Sequence, residues 1–191
     1  MQTRIPALRL WLPLAIQVLM IASIPATATW IYATGKTVIL QTAPVDPYSP
    51  LLGYSQTLSY DVSRWDNLEK LGKMHSIDYI KRGKPIYIIL EAPAQAGNPW
   101  RPVAIQLEKP NSLPANQLAL RGQPEYGQIR YGLETYYIPE GKIQDINREF
   151  EQIRRGLGPD SRPPIWLEAR VGADGQAVPV ALIVRDRRYT Y

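Results

Sequence analysis

The sequence predicts a mostly β fold of the α+β class, carried behind one amino-terminal transmembrane helix. Three observations predict it. Residues 10–30 form an apolar run, 21 residues long, with no charged side chain. The 18 prolines and 13 glycines are spread along the chain and cut it into short segments of alternating or β-branched character. One stretch with helical spacing, near 143–156, interrupts these segments.

The apolar run comes first. As a helix rising about 1.5 Å per residue it spans ~31 Å, the thickness of a bilayer's hydrocarbon core. Pro13, Gln17, Ser23, Pro25, Thr27 and Thr29 dilute it. Prolines are tolerated in membrane helices, where neighbouring helices and Ser/Thr hydroxyls satisfy the freed carbonyls. Trp11 lies at one end and Trp30 and Tyr32 at the other, as interfacial aromatics do. Gln17 and the Ala22/Ala26 pair, four residues apart, mark faces that can meet a second helix. The competing reading is a cleaved signal peptide and a secreted domain, because Ala26-Thr27-Ala28 follows the helix-breaking Pro25. The run exceeds the usual ~7–15-residue signal core, which favours a retained anchor.

Orientation follows from the flanks. Arg4 and Arg9 precede the helix, Lys36 alone closely follows it, and every Asp and Glu lies beyond it. The positive-inside rule then gives a cytoplasmic segment at 1–9, a membrane helix at 10–32 and an extracytoplasmic domain at 36–191.

Strands are expected next, in order. Residues 37–41 are β-branched, and Pro44-Val45-Asp46-Pro47 reads as a turn. Residues 56–62 alternate polar and apolar and predict a strand; 66–71 predict a short helix. Residues 84–91 and 100–107 are apolar-rich and joined by a Pro/Gly loop, which predicts a hairpin. Shorter strands are expected at 118–120, 128–131 and 135–138. Residues 165–171 and 178–184 flank Ala173-Asp174-Gly175-Gln176, and Asp-Gly marks the turn of a second hairpin.

The amphipathic helix repeats Ile143, Ile146, Phe150, Ile153 and Leu157 at helical spacing. Glu140 and Asp145 lie near its amino end, with Arg154, Arg155 and Gly156 at its carboxyl end, an order that suits the helix dipole. Its apolar stripe is core-facing.

Composition bounds the function. There is no cysteine, so disulfides, thiolate catalysis and zinc–thiolate sites are excluded. His75 is the only histidine, which excludes a histidine metal cluster and leaves any Ser-His-Asp arrangement dependent on one residue in a polar stretch. No metal and no cofactor is expected, and no catalytic residue is assigned. Leaving out Arg4 and Arg9, 20 Lys+Arg face 17 Asp+Glu, a net charge near +3. Nucleic acid needs a basic cluster. The densest ones, Lys81-Arg82-Gly83-Lys84 and Arg185-Asp186-Arg187-Arg188, read as solvated loop or tail or as a contact with anionic lipid headgroups, so no nucleic-acid partner is expected. The aromatics are 12 Tyr and 5 Trp against one Phe, a supply suited to half-wet surfaces, with Tyr136, Tyr137, Trp100 and Tyr126 as candidates.

Two stretches carry a resemblance. One is Thr37-Val38-Ile39-Leu40, then Pro44-Val45-Asp46-Pro47, then Gly53-Tyr54-Ser55-Gln56-Thr57-Leu58-Ser59-Tyr60. The other is Tyr131-Gly132-Leu133-Glu134-Thr135-Tyr136-Tyr137-Ile138-Pro139-Glu140-Gly141-Lys142. Together they resemble the bacterial GDYXXLXY family of small membrane-anchored proteins, over nearly the whole length. Gly53, Leu58 and Tyr60 match the name motif; Tyr54 stands in place of its Asp and Ser55 in place of its first Tyr. Glu134, Tyr136, Tyr137, Pro139, Glu140 and Gly141 match the family's second segment. The resemblance implies the bacterial inner membrane and, because such proteins often neighbour or fuse to multi-spanning membrane proteins, a partner of that kind.

The expectation is therefore a single-pass protein with an extracytoplasmic binding or accessory domain. The alternative is an envelope hydrolase. It would need a Ser–Lys pair drawn from Ser76, Lys81 or Ser112, or a carboxylate pair at Glu134 and Glu140.

Overall fold

The computed structural model describes residues 7–42, 55–64, 68, 71, 84–125, 128–137, 140–156, 161 and 163–190. Among them the fold is mostly β, built from antiparallel sheets with two α-helices.

The first helix, α1, runs Ala7–Thr34. No single helix among the described residues is long and apolar enough to cross a membrane. The two arms of α1, Trp11–Ser23 and Pro25–Thr34, pass that test together and meet at 41°. The single membrane helix expected at 10–32 is thus represented only by a bent pair that passes by length and composition. Pro25 supplies the cause: it has no N–H for the Ile21 carbonyl, and its ring crowds the preceding turn. Residues 11–23 and 25–30 are all exposed, including Trp11, Leu12, Ile16, Leu19, Met20 and Ile21. The hydroxyls of Ser23, Thr29 and Thr34 donate back to the carbonyls of Met20, Pro25 and Trp30. At its foot α1 meets the domain. Ile31 is buried, the Gly35 N–H closes on the Ile31 carbonyl at 2.8 Å, and Arg170 donates to the Gly35 carbonyl at 2.9 Å.

A first sheet follows directly. Strand β1 (Lys36–Gln41) pairs with β8 (Ile165–Val171), which pairs with β9 (Ala177–Val184), which pairs with β10 (Arg187–Thr190), all antiparallel. Val38, Leu40, Leu167, Ala169, Leu182 and Val184 turn into the core from alternate positions. The sequence placed β8, β9 and their Asp-Gly turn correctly. It missed β10 by reading Arg187 and Arg188 as a solvated tail. The strand is held by its ladder to β9 and by the buried Tyr189, and its arginines find partners: Arg188 bonds the Glu168 carboxylate at 2.9 and 3.1 Å, and Arg187 reaches Glu149 at 2.7 Å.

The second sheet has the order β4-β3-β5-β6. Strands β3 (Ile86–Glu91) and β4 (Arg101–Gln106) form the expected hairpin. Strand β5 (Gln117–Glu125) is much longer than the expected 118–120, and β6 (Gln128–Arg130) folds back on its far end. The second helix, α2, runs Ile143–Gly156, as its spacing predicts, and buries Ile146 and Ile153 in the core. Its Leu157 lies outside the described residues.

The strand expected at 56–62 is the main correction. Only β2 (Ser55–Thr57) is a strand, and Asp61–Ser63 is a 3-10 turn. The partner strand, β7 (Thr135–Tyr137), is three residues long, so the ladder ends early. The turn at 44–47 and most of the helix at 66–71 lie outside the described residues; Leu68 within that stretch is fully buried.

Candidate functional site

The two stretches that carry the family resemblance are far apart in sequence and adjacent in space. Strands β2 and β7 pair Ser55 with Tyr137, Gln56 with Tyr136 and Thr57 with Thr135. The contact continues past the ladder, where the Leu58 N–H donates to the Glu134 carbonyl at 2.6 Å. Leu58, Tyr60, Leu133 and Tyr136 are buried.

Tyrosine hydroxyls fasten this unit. The Tyr60 hydroxyl donates to the Leu133 carbonyl at 2.5 Å, and the Tyr131 hydroxyl donates to the Val62 carbonyl at 2.5 Å. The two bonds run in opposite senses between the same segments. The Tyr136 hydroxyl donates to the Tyr189 carbonyl at 2.7 Å, tying the unit to β10 of the first sheet. A buried carbonyl left without a donor is costly, so each hydroxyl satisfies a group that the irregular backbone exposes. Burial pushes the Tyr131 phenol well above its ordinary value, with the nearby Glu134 charge adding to the shift, and burial also raises Tyr136.

Glu134 has a local structural task. Gly132 takes φ +78°, a left-handed conformation that turns the chain between β6 and β7. The turn leaves two N–H groups pointing inward, and the Glu134 carboxylate accepts both, from Tyr131 at 2.6 Å and Gly132 at 3.0 Å. The Gly-x-Glu spacing of the family segment is thereby explained: the glycine makes the turn and the glutamate caps it.

This turn forms one wall of a cavity of about 550 Å³. The polar face of β5 also lines it, with Arg121, Gln123 and Glu125 at alternate positions. Arg130 on β6 and Gln176 at the β8–β9 turn complete its polar lining. The turn reaches β5 because the Arg121 N–H donates to the Gly175 carbonyl at 2.8 Å. Gly175 has φ +83°, and a Cβ there would lie 3.1 Å from the Arg121 Cβ. Gly122 is as demanding: a Cβ would sit 2.2 Å from the Ile129 Cγ2 and 2.8 Å from the Tyr131 Cε1. The cavity thus lies where the tip of one sheet crosses the longest strand of the other.

Sequence reasoning missed Arg121, Gln123, Arg130 and Gln176. The signal was available in β5, where the Leu118/Leu120 alternation continues through Gly122 and puts polar residues on the other face.

The other candidates are dispersed. Gly53, Tyr54 and Pro139 lie outside the described residues, as do Tyr126, His75, Ser76 and Lys81. Tyr137 contributes its backbone to β7, and Glu140 and Gly141 belong to a 3-10 turn, Glu140–Lys142. Gly141 is exposed, with nothing within 4 Å of a Cβ, so no steric demand explains a glycine there. Tyr136 is fully buried and is not the half-wet surface residue expected. Trp100 is half-buried, with the Lys36 ammonium 5.2 Å from its ring centre. Ser112 is exposed in the loop between β4 and β5. Among the described residues no group of three His, Cys, Asp or Glu side chains is placed to hold a metal ion.

A family model described as GDYXXLXY protein matches residues 17–182, most of the chain. No curated protein and no solved structure matches it.

Proposed function

The chain belongs to the GDYXXLXY family, and from that premise we propose a bacterial inner-membrane protein that presents a binding or accessory domain on the extracytoplasmic side. The observation that carries this reading is α1. Its exposed residues are mostly apolar, and no described part of the domain covers them. Burying one large apolar side chain is worth roughly 1.5–3 kcal/mol. A run of them left in water would be strongly unfavourable, and a bilayer removes that cost. The hydroxyls that bond back into the helix suit the same environment, where every polar group needs an internal partner.

In this reading residues 10–32 enter the bilayer, with the amino terminus cytoplasmic and residues 36–191 exported. The partner is a multi-spanning membrane protein, approached along the α1 face that carries Gln17, Ala22 and Ala26 and through the domain itself. The Pro25 bend favours such a contact, because a neighbouring helix can satisfy the freed Ile21 carbonyl. No nucleic acid takes part. The Arg187 and Arg188 side chains of the basic cluster are engaged with Glu149 and Glu168.

Proximity crosslinking in native membranes, with a carboxyl-terminal tag and intact-mass analysis, tests this function. Co-recovery with one multi-spanning protein, at a mass that retains residues 1–28, is the expected result. A shortened soluble form with no membrane partner would overturn it.

A further inference from the structure

The cavity between the two sheets goes beyond the anchor and its partner, and does not depend on them. We infer that it is a binding site for an acidic sugar: a single anionic group, carboxylate or phosphate, borne on a hydroxyl-rich ring.

Its size is the first support, since about 550 Å³ falls within the range of small-ligand sites. Its charges are the second. Four charged side chains line it, two of each sign. The Glu134 carboxylate is engaged by the Tyr131 and Gly132 N–H groups. Glu125 accepts from Arg130 at 3.0 Å, with both side chains roughly half exposed. Exposed pairs of this kind contribute only ~0–1 kcal/mol, so an anion can draw Arg130 away at little cost. Arg121 has no ion-pair partner among the described residues, and it is a half-buried residue of the cavity lining. Two arginines in one lining suit a planar carboxylate or a phosphate.

The rest of the lining chooses the ligand's body. Gln123 and Gln176 offer amides that both donate and accept, and Glu125 accepts. These groups match hydroxyls. Ala177 and Tyr131 add apolar surface among the described residues, which suits the C–H face of a sugar ring. The Arg121–Gly175 bond ties the β8–β9 turn to β5, and Glu134 caps the turn after β6.

Titration calorimetry on the full chain in nonionic micelles tests this, with four probes: glucuronate, glucose 6-phosphate, glucose and inorganic phosphate. One charged sugar should bind at least about tenfold more tightly than glucose and than phosphate alone, the ratio expected for one charge-assisted hydrogen bond. Which charged sugar prevails identifies the anion. Arg121→Gln should weaken that binding about tenfold with an unchanged melting temperature. Arg130→Gln provides a second variant, since its exposed side chain carries little of the fold. The inference is overturned if the charged sugars bind no better than glucose, if phosphate alone binds as tightly, or if both variants bind like the wild type. Neither result bears on the crosslinked partner, so the two proposals fail separately.

Discussion

Replacing Tyr60 by Phe removes one oxygen and nothing else. The ring stays, so no cavity opens, and the bond from the Tyr60 hydroxyl to the Leu133 carbonyl at 2.5 Å is lost. Tyr60 and Leu133 are both fully buried, so water cannot replace the missing donor. The cost is then that of an unsatisfied buried carbonyl, about 1–3 kcal/mol. In a domain of this size each kcal/mol lowers the melting temperature by roughly 2–4 °C, so Tyr60→Phe should lose about 2–12 °C. Tyr131→Phe removes the opposing bond to the Val62 carbonyl and should cost a similar amount. Because both bonds join the same two segments, the double variant should be non-additive by at least about 0.5 kcal/mol. Urea unfolding of the full chain in nonionic micelles, followed by tryptophan fluorescence, measures all three. If Tyr60→Phe falls within about 0.3 kcal/mol of the wild type, the hydroxyl is not a staple and the structural reading of the motif fails.

Further predictions follow from the same region. Glu134→Gln leaves one oxygen to serve two N–H groups and should lower stability by about 1–3 kcal/mol in the same urea assay. Gly122→Val drives side-chain atoms into Ile129 and Tyr131 and should cost more than about 3 kcal/mol, read as loss of cooperative unfolding or of soluble expression. At high pH, the raised phenols of Tyr131 and Tyr136 resist ionisation in the folded state while the unfolded chain ionises near its ordinary value. Stability should be unchanged below about pH 10 and fall above it, by roughly 1.4 kcal/mol per pH unit for each such tyrosine. Tyr131→Phe should make that slope shallower, measured by urea unfolding between about pH 9 and 11.

The parts of the fold that were legible in the sequence are those held by short-range rules. Helix α2 follows from Ile146 and Ile153 at helical spacing, and the β8–β9 hairpin from its Asp-Gly turn. Strand β3 follows from five successive apolar residues. The parts that were not legible depend on distant partners. Residues 56–62 alternate as a strand should, yet β7 ends after three pairings, and Tyr60 and Val62 are fixed by tyrosine bonds to a segment some 70 residues away. Strand β10 is four residues long and rich in arginine, so it resembles a tail until Glu149 and Glu168 are seen to receive those charges. The cavity is the extreme case, because its lining comes from β5, β6, the Gly132 turn and the β8–β9 turn.

The family motif therefore has two layers of meaning. Its tyrosines and its Gly-x-Glu turn satisfy backbone groups that an irregular sheet junction leaves open, which is reason enough for these residue types at this spacing. Yet Tyr131, Gly132 and Glu134 also line the cavity, together with Arg121. A substitution that loosens the turn should therefore weaken both the fold and any ligand, whereas Arg121→Gln should weaken the ligand alone. The residues that resemble a family signature and those proposed to recognise a ligand are then different sets within one lining. This separation explains why the signature reveals so little about recognition: it encodes the capped turn, and the arginine and amide side chains that would read the ligand lie on strands outside it.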